Sequence, residues 1–246
     1  MRAASLFVGI VIVIFGEMVS HPLAQDVVPV LPPGLHTRTL ERGNGSRIGY
    51  AISVPATYAP DVHVPLVLAL HFGVQGGPSM NAGREVLRLL IGPGLIDLNA
   101  IIVAPDVIDG GPWSTETNEQ AVLLLLDQVM RSYSVDPKKV LVTGFSMGGS
   151  GAWHFAGKYP DRFTAAVPIA GRPPAMAESW RVPVFALHSR RDQVVPFAGT
   201  EQRIDELKRA GVTAELLLLE SPTHYQTAAH AVGLRQLVPL IRQIWK

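Results

Sequence analysis

The stretch KVLVTGFSMGGSG, residues 139–151, decides how the rest of the chain is read. Its first part, Lys139–Thr143, is a short apolar run, as expected for a strand covered on both faces. Its second part sets Ser146 in Gly144-Phe145-Ser146-Met147-Gly148, followed by Gly149, Gly151 and a helical pattern running to Tyr159. Gly-x-Ser-x-Gly between a buried strand and a helix predicts a sharp turn in which the serine is held in a strained geometry with its hydroxyl above the sheet. Side chains at positions 144 and 148 would collide with the neighbouring strand and helix, so glycine is required at both. Serine also caps helices, but a helix start crowded with glycines is a poor choice for a simple cap.

Outward from this turn the chain alternates apolar runs with amphipathic segments. Leu35–Arg42 and Arg47–Val54, across Gly43-Asn44-Gly45, predict a β-hairpin. Buried strands are expected at Val64–His71, Ala100–Ala104, Thr164–Ile169, Val182–Leu187 and Ala214–Leu219. Helices are expected within Ser79–Asp97, with Gly92-Pro93-Gly94 breaking the end, and over Glu116–Ser132, Met147–Tyr159, Gly199–Ala210 and Gln226–Lys246. Pro239 should kink or split the last. The pattern predicts an α/β fold: a mostly parallel central sheet, an antiparallel N-terminal hairpin at its first edge and helices on both faces. A ligand site in such a sheet lies beyond the carboxyl ends of the strands.

Composition narrows the possibilities. The chain has 246 residues, 48% hydrophobic and 17% charged, enough to bury a full core and too apolar for disorder. A net charge of +1, with no basic block, gives no footprint for nucleic acid. The absence of cysteine excludes disulfides, thiolate metal sites and a cysteine nucleophile. No histidine and carboxylate grouping has metal-ligand spacing, so no metal is implied. Residues 1–24 read as a secretory signal: Arg2, an apolar run from Leu6 to Phe15, then small and polar residues, with cleavage after Ser20 or Ala24. Glu17 interrupts the run too early for a membrane span, so no stable membrane insertion is expected once the signal is gone. Residues 25–34 read as a Pro-rich, extended lead-in to a domain over 35–246. The expected location is periplasmic or extracellular.

A serine hydroxyl is a weak nucleophile until a base is held beside it. In a sheet of this kind the acid and base follow the serine in the order Ser, Asp or Glu, His, each in a loop after a later strand. Asp192 is the only carboxylate in the loop after the strand ending at Leu187. His224 is the first histidine after the strand ending at Leu219, with His230, inside the last helix, as the alternative base. His154 is expected to pack, and His71 and His188 to brace loops at strand ends. Backbone N–H groups for an oxyanion are expected from Met147 and from Gly73, in the loop after Val64–His71. Phe72 and Trp113 are candidate substrate contacts.

Residues 135–171 (VDPKKVLVTGFSMGGSGAWHFAGKYPDRFTAAVPIAG) and the Asp192-x-x-Val195-Pro196 loop resemble the α/β-hydrolase superfamily. The likeness is to its secreted esterase group of polyhydroxybutyrate-depolymerase-like, feruloyl-esterase-like and predicted-peptidase-like proteins, over about residues 35–246. The resemblance implies a Ser146–Asp192–His224 triad, no cofactor, and hydrolysis of a small-molecule or polymeric carboxylic ester through an acyl-enzyme. One position departs from the usual loop, which begins His-Gly: here Phe72 follows His71. Only Gly171–Arg181 separates the expected strands on either side, too short for a helical cap domain. Two rival readings share these residues: a serine peptidase of prolyl-oligopeptidase-like type, and a non-catalytic binding protein on a hydrolase scaffold.

Overall fold

Eight strands form one sheet in the order β1-β2-β4-β3-β5-β6-β7-β8. They are β1 (Gly34–Glu41), β2 (Arg47–Val54), β3 (Val64–Leu70), β4 (Ile101–Pro105), β5 (Val135–Phe145), β6 (Ala165–Ile169), β7 (Val184–Ser189) and β8 (Ala214–Leu219). The computed structural model describes residues 27–74, 79–174 and 180–246; the signal-peptide reading lies outside them. β1 pairs antiparallel with β2, and β2 antiparallel with β4; every other pairing is parallel. The hairpin therefore forms one edge, as its alternation predicts: Ile48, Tyr50, Ile52 and Val54 face the core. Its loop is closed by bonds from Gly45 N–H to Arg42 O and from Arg42 N–H to Ser46 O, both 2.8 Å.

The helices are α1 (Ala82–Val86), α2 (Gly92–Leu95), α3 (Glu116–Ser132), α4 (Met147–Lys158), α5 (Ala198–Arg209) and α6 (Thr227–Ile244). Period-two strands divide their side chains between two cores. Leu66, Leu68, Leu70, Val140 and Val142 pack with residues of α3, α4 and α5. Val67, Ala69 and Leu141 pack with residues of α1, α2 and α6 on the other face. Burying each such valine or leucine side chain contributes about 1.5–3 kcal/mol.

Some expectations need correction. Gly92-Pro93-Gly94 does not break its helix: a π turn, Leu87–Ile91, precedes it, and Gly92 N–H reaches back to Leu87 O. A Cβ at Gly92 would stand 2.6 Å from that oxygen, so the wide turn requires the glycine. Pro93 then sits in the first turn of α2, where no N–H is needed. Of the two readings for the last helix, kinked or split, the split one is overturned: α6 is a single element with Pro239 inside it. β5 begins earlier than its apolar run, because Val135 pairs with Val64 before the register jumps to Leu66 and Val140. Pro137 falls in that irregularity, where a missing donor is tolerated.

Residues 27–33, within the expected lead-in, pack onto the domain. Val28 and Leu31 are 1% and 9% exposed and join the core cluster. The Tyr133 hydroxyl donates to Pro29 O and accepts from Leu31 N–H, both at 3.0 Å.

The sheet also contains a switch point. From β3 the chain moves outward to β4 on one side, then returns to place β5 on the other side of β3. Loops leaving the carboxyl ends of β3 and β5 diverge there and open a crevice. The β3 loop carries His71, Phe72 and Gly73; the β5 turn carries Ser146.

Candidate active site

Ser146 has φ 58° and ψ −114°, a left-handed conformation that costs a non-glycine residue strain energy. The surrounding contacts enforce it. A Cβ at Gly148 would lie 2.0 Å from Leu70 O, and one at Gly144 would lie 2.3 Å from Gly148 O. The turn is thus pressed between β3 and α4, and Ser146 N–H is tied to Ile169 O of β6 at 2.9 Å. Ser146 makes no side-chain cap. Its half-buried Oγ instead lies 2.9 Å from His224 Nε2.

The structure brings the three expected side chains together. His224 Nδ1 is 2.7 Å from Asp192 Oδ2. A carboxylate only accepts, so Nδ1 carries the proton and Nε2 is left to accept from the serine hydroxyl. Asp192 Oδ1 accepts from Val194 N–H at 2.9 Å and Val195 N–H at 2.7 Å. Burial opposes the charge on Asp192, but the bonds from His224, Val195 and Val194 outweigh it and hold the carboxyl below its ordinary value. Phe145 stacks on the His224 ring, centroids 5.0 Å apart at 30°, and supports it from the core side.

His230, the alternative base, also lies against Phe145, with centroids 5.4 Å apart. Its Nδ1–H is committed to Gln226 O at 3.1 Å. It makes no hydrogen bond to Ser146. Met147 opens α4, where the first N–H groups lack intrahelical acceptors. Gly73 lies beside it: a Cβ there would be 3.9 Å from Met147 Cβ and Sδ. Phe72 packs edge-on to Phe145, at 6.5 Å. Trp113 is 1% exposed and donates from Nε1 to His71 O at 3.0 Å, bracing the β3 loop.

A cleft of about 320 Å³ opens beside Met147, lined among others by Trp113, Ser150, His154, Arg172 and Pro173. Of this wall, the sequence alone points to Trp113 and Met147. The available signal was helical spacing: Ser146, Ser150 and His154 recur every four residues along one face of α4. His154 is held by the buried carboxylate of Glu119, which also takes Lys158 Nζ at 2.7 Å. Burial works against that carboxylate, yet the Lys158 and His154 bonds keep Glu119 below its ordinary value.

Three histidines, His71, His188 and His230, are each 0% exposed. Burial pushes all three pKa values below the ordinary 6.5. On acidification the unfolded chain therefore binds these protons first. The stability that the neutral rings contribute is complete above about pH 6.5 and is lost as the pH falls toward their lowered folded values. The slope is up to about 1.4 kcal/mol per pH unit for each ring. The depressed Asp192 adds its own loss only lower, below its ordinary 3.8. Urea midpoints measured at pH 7.5, 6 and 5 should fall in that order, and a flat series would contradict this origin.

Comparison with known proteins bears on the family and the fold. Residues 102–233 match the Dienelactone hydrolase family. "Protein usf" of Aquifex pyrophilus is 37% identical over 94 residues, 36% of this chain and 39% of that protein. The chain thus spans about two fifths of that relative's length. Among solved structures, a thermostable esterase superposes with TM-score 0.71 at 22% identity, covering 85% of this chain and 62% of the other. A ferulic acid esterase superposes with TM-score 0.68 at 17% identity, covering 88% of this chain and all of the other (100%).

Proposed function

Because the chain belongs to the dienelactone hydrolase family, we propose that it is an exported serine hydrolase that cleaves carboxylic esters through an acyl-enzyme. The unbroken run from Asp192 Oδ2 through His224 to Ser146 Oγ carries this reading. Ser146 Oγ attacks the ester carbonyl while His224 Nε2 takes its proton. Asp192 keeps the imidazole in the Nδ1–H tautomer and stabilises the imidazolium. Negative charge collects on the former carbonyl oxygen, for which the N–H groups of Met147 and Gly73 are the donors. His224 passes its proton to the departing alcohol oxygen. Water, deprotonated by the same nitrogen, then attacks the acyl-serine and frees the acid. Export rests on the sequence of residues 1–24, and the substrate is a small-molecule or polymeric ester.

Access to the serine shapes the kinetics. Between Ile169 and Val184 the described residues contain no helix or strand that could close over it. Soluble short-acyl esters such as p-nitrophenyl acetate or butyrate should be hydrolysed as monomers, with no jump in rate when substrate passes its solubility limit. Longer acyl chains should be poorer, since the cleft beside Met147 holds only about 320 Å³. Rates measured across the solubility limit test this. Negligible turnover of every monomeric ester, together with no labelling by a fluorophosphonate, would overturn the assignment.

A further inference from the structure

His188 is the penultimate residue of β7 and lies directly against the acid of the site. Its Nε2 is 2.8 Å from Val195 O. A carbonyl only accepts, so this nitrogen carries the ring proton. Nδ1 is then the acceptor, and Thr200 Oγ1 of α5 donates to it at 3.0 Å. The same Nε2 stands 3.3 Å from Asp192 Oδ2, and neither side chain is exposed. Oδ2 is also the oxygen that accepts from His224. One carboxylate oxygen therefore sits beside two imidazole N–H groups. Val195 closes the frame: its carbonyl takes the His188 proton, and its N–H holds Asp192 Oδ1 at 2.7 Å.

We infer that His188 is a positioning residue for Asp192: as a neutral ring protonated on Nε2, it fixes the acid loop and draws charge from Oδ2, and so sets how strongly Asp192 holds the His224 proton. The inference rests on Asp192 and His224 being the acid and base of the proposed reaction. An N–H dipole beside a carboxylate lowers its basicity. Without it, Oδ2 would hold the His224 imidazolium more tightly, and a base that stays protonated near neutral pH is idle. Burial, which disfavours a charged ring, keeps His188 in the neutral form this role needs. The other ionisable groups nearby are His224 itself, His230 on α6, and the loop residues Arg190 and Arg191. Arg190 pairs with Glu220 at the surface, 3.0 Å away, and Arg191 is exposed.

The test reads the resting protein. The His224 Cε1–H resonance is titrated by NMR in the unaltered chain, in His188→Leu and in His188→Gln. Removing the dipole in His188→Leu should move the His224 midpoint up by about 0.5–1 pH unit, and the acid limb of kcat/KM should move with it. His188→Gln, whose amide can donate from a similar place, should return the midpoint toward that of the parent. A ring that only braces the loop would behave differently: its loss loosens Asp192, and the His224 midpoint stays or falls. Either of those results overturns the inference. Should His188→Leu fail to fold, nitrogen-15 shifts of the unaltered protein decide. A neutral His188 protonated on Nε2 at pH 7 supports the role; a proton on Nδ1 alone, or a charged ring, overturns it. Because no substrate is needed, an absence of esterase activity would count against the proposed function and leave this coupling measurable.

Discussion

Replacing Ser146 with alanine should lower kcat on any accepted ester by at least about 10³ and by as much as about 10⁶. Among the described residues, Ser146 is the one whose hydroxyl meets His224 Nε2, at 2.9 Å. The other parts of the site would remain in place, since the strained turn is enforced by backbone contacts at Gly144 and Gly148 and not by the hydroxyl. The left-handed backbone at φ 58° costs alanine about as much as serine, so the variant should fold. Residual rate above the uncatalysed reaction would report the oxyanion donors acting alone. Activity within tenfold of the parent, with unchanged circular dichroism, would remove Ser146 from the mechanism.

The base should be as indispensable as the nucleophile. His224→Ala should approach the Ser146→Ala loss, because the two act as a unit and neither works without the other. His230→Ala is the control that gives this meaning. Both rings contact Phe145, yet of the two His224 joins a carboxylate to the serine; the His230 Nδ1–H is spent on Gln226 O. Its replacement should leave kcat within about tenfold of the parent and act on stability, through the space left by a buried ring. Asp192→Asn should cost about 10⁴, since an amide can offer Nδ1 a donor and trap the wrong tautomer. Steady-state kinetics on p-nitrophenyl butyrate rank the three variants, and a larger loss at His230 than at His224 would reverse the assignment.

What the sequence made legible follows the range of the forces involved. The turn at Ser146 is local, and the glycines that permit it lie within a few residues, so the motif read correctly. The period-two alternation of Ile48, Tyr50, Ile52 and Val54 likewise found the hairpin. Asp192 and His224 were placed by their order after strands, and the structure sets Asp192 against His224 and His224 against Ser146. Boundaries fared worse where tertiary pairing overrides composition. β7 runs two residues later than its apolar run, which makes His188 part of the strand. The continuation through Gly92-Pro93-Gly94 depends on a π turn that no local pattern announces. The contact between His188 and Asp192 needs both ends of one loop folded back together, and the cleft wall at Arg172 needs the loop after β6 to approach α4. Neither proximity is encoded by spacing alone.

The tyrosine clasp on residues 27–33 has a practical consequence for anyone handling this protein. The start of its first strand is not a neutral attachment point. A purification tag or fusion partner joined before Val27 leaves Val28 and Leu31 seated. One joined directly to Gly34, the start of the first strand, discards them and leaves the Tyr133 hydroxyl without Pro29 and Leu31. Losing two buried aliphatic side chains forfeits about 3–6 kcal/mol, against a whole-domain stability of about 5–15 kcal/mol. A shortened version designed from strand boundaries alone would thus risk aggregation for reasons unrelated to its chemistry, and a protease that trims the chain past residue 31 would act as an inactivator without touching any group near Ser146.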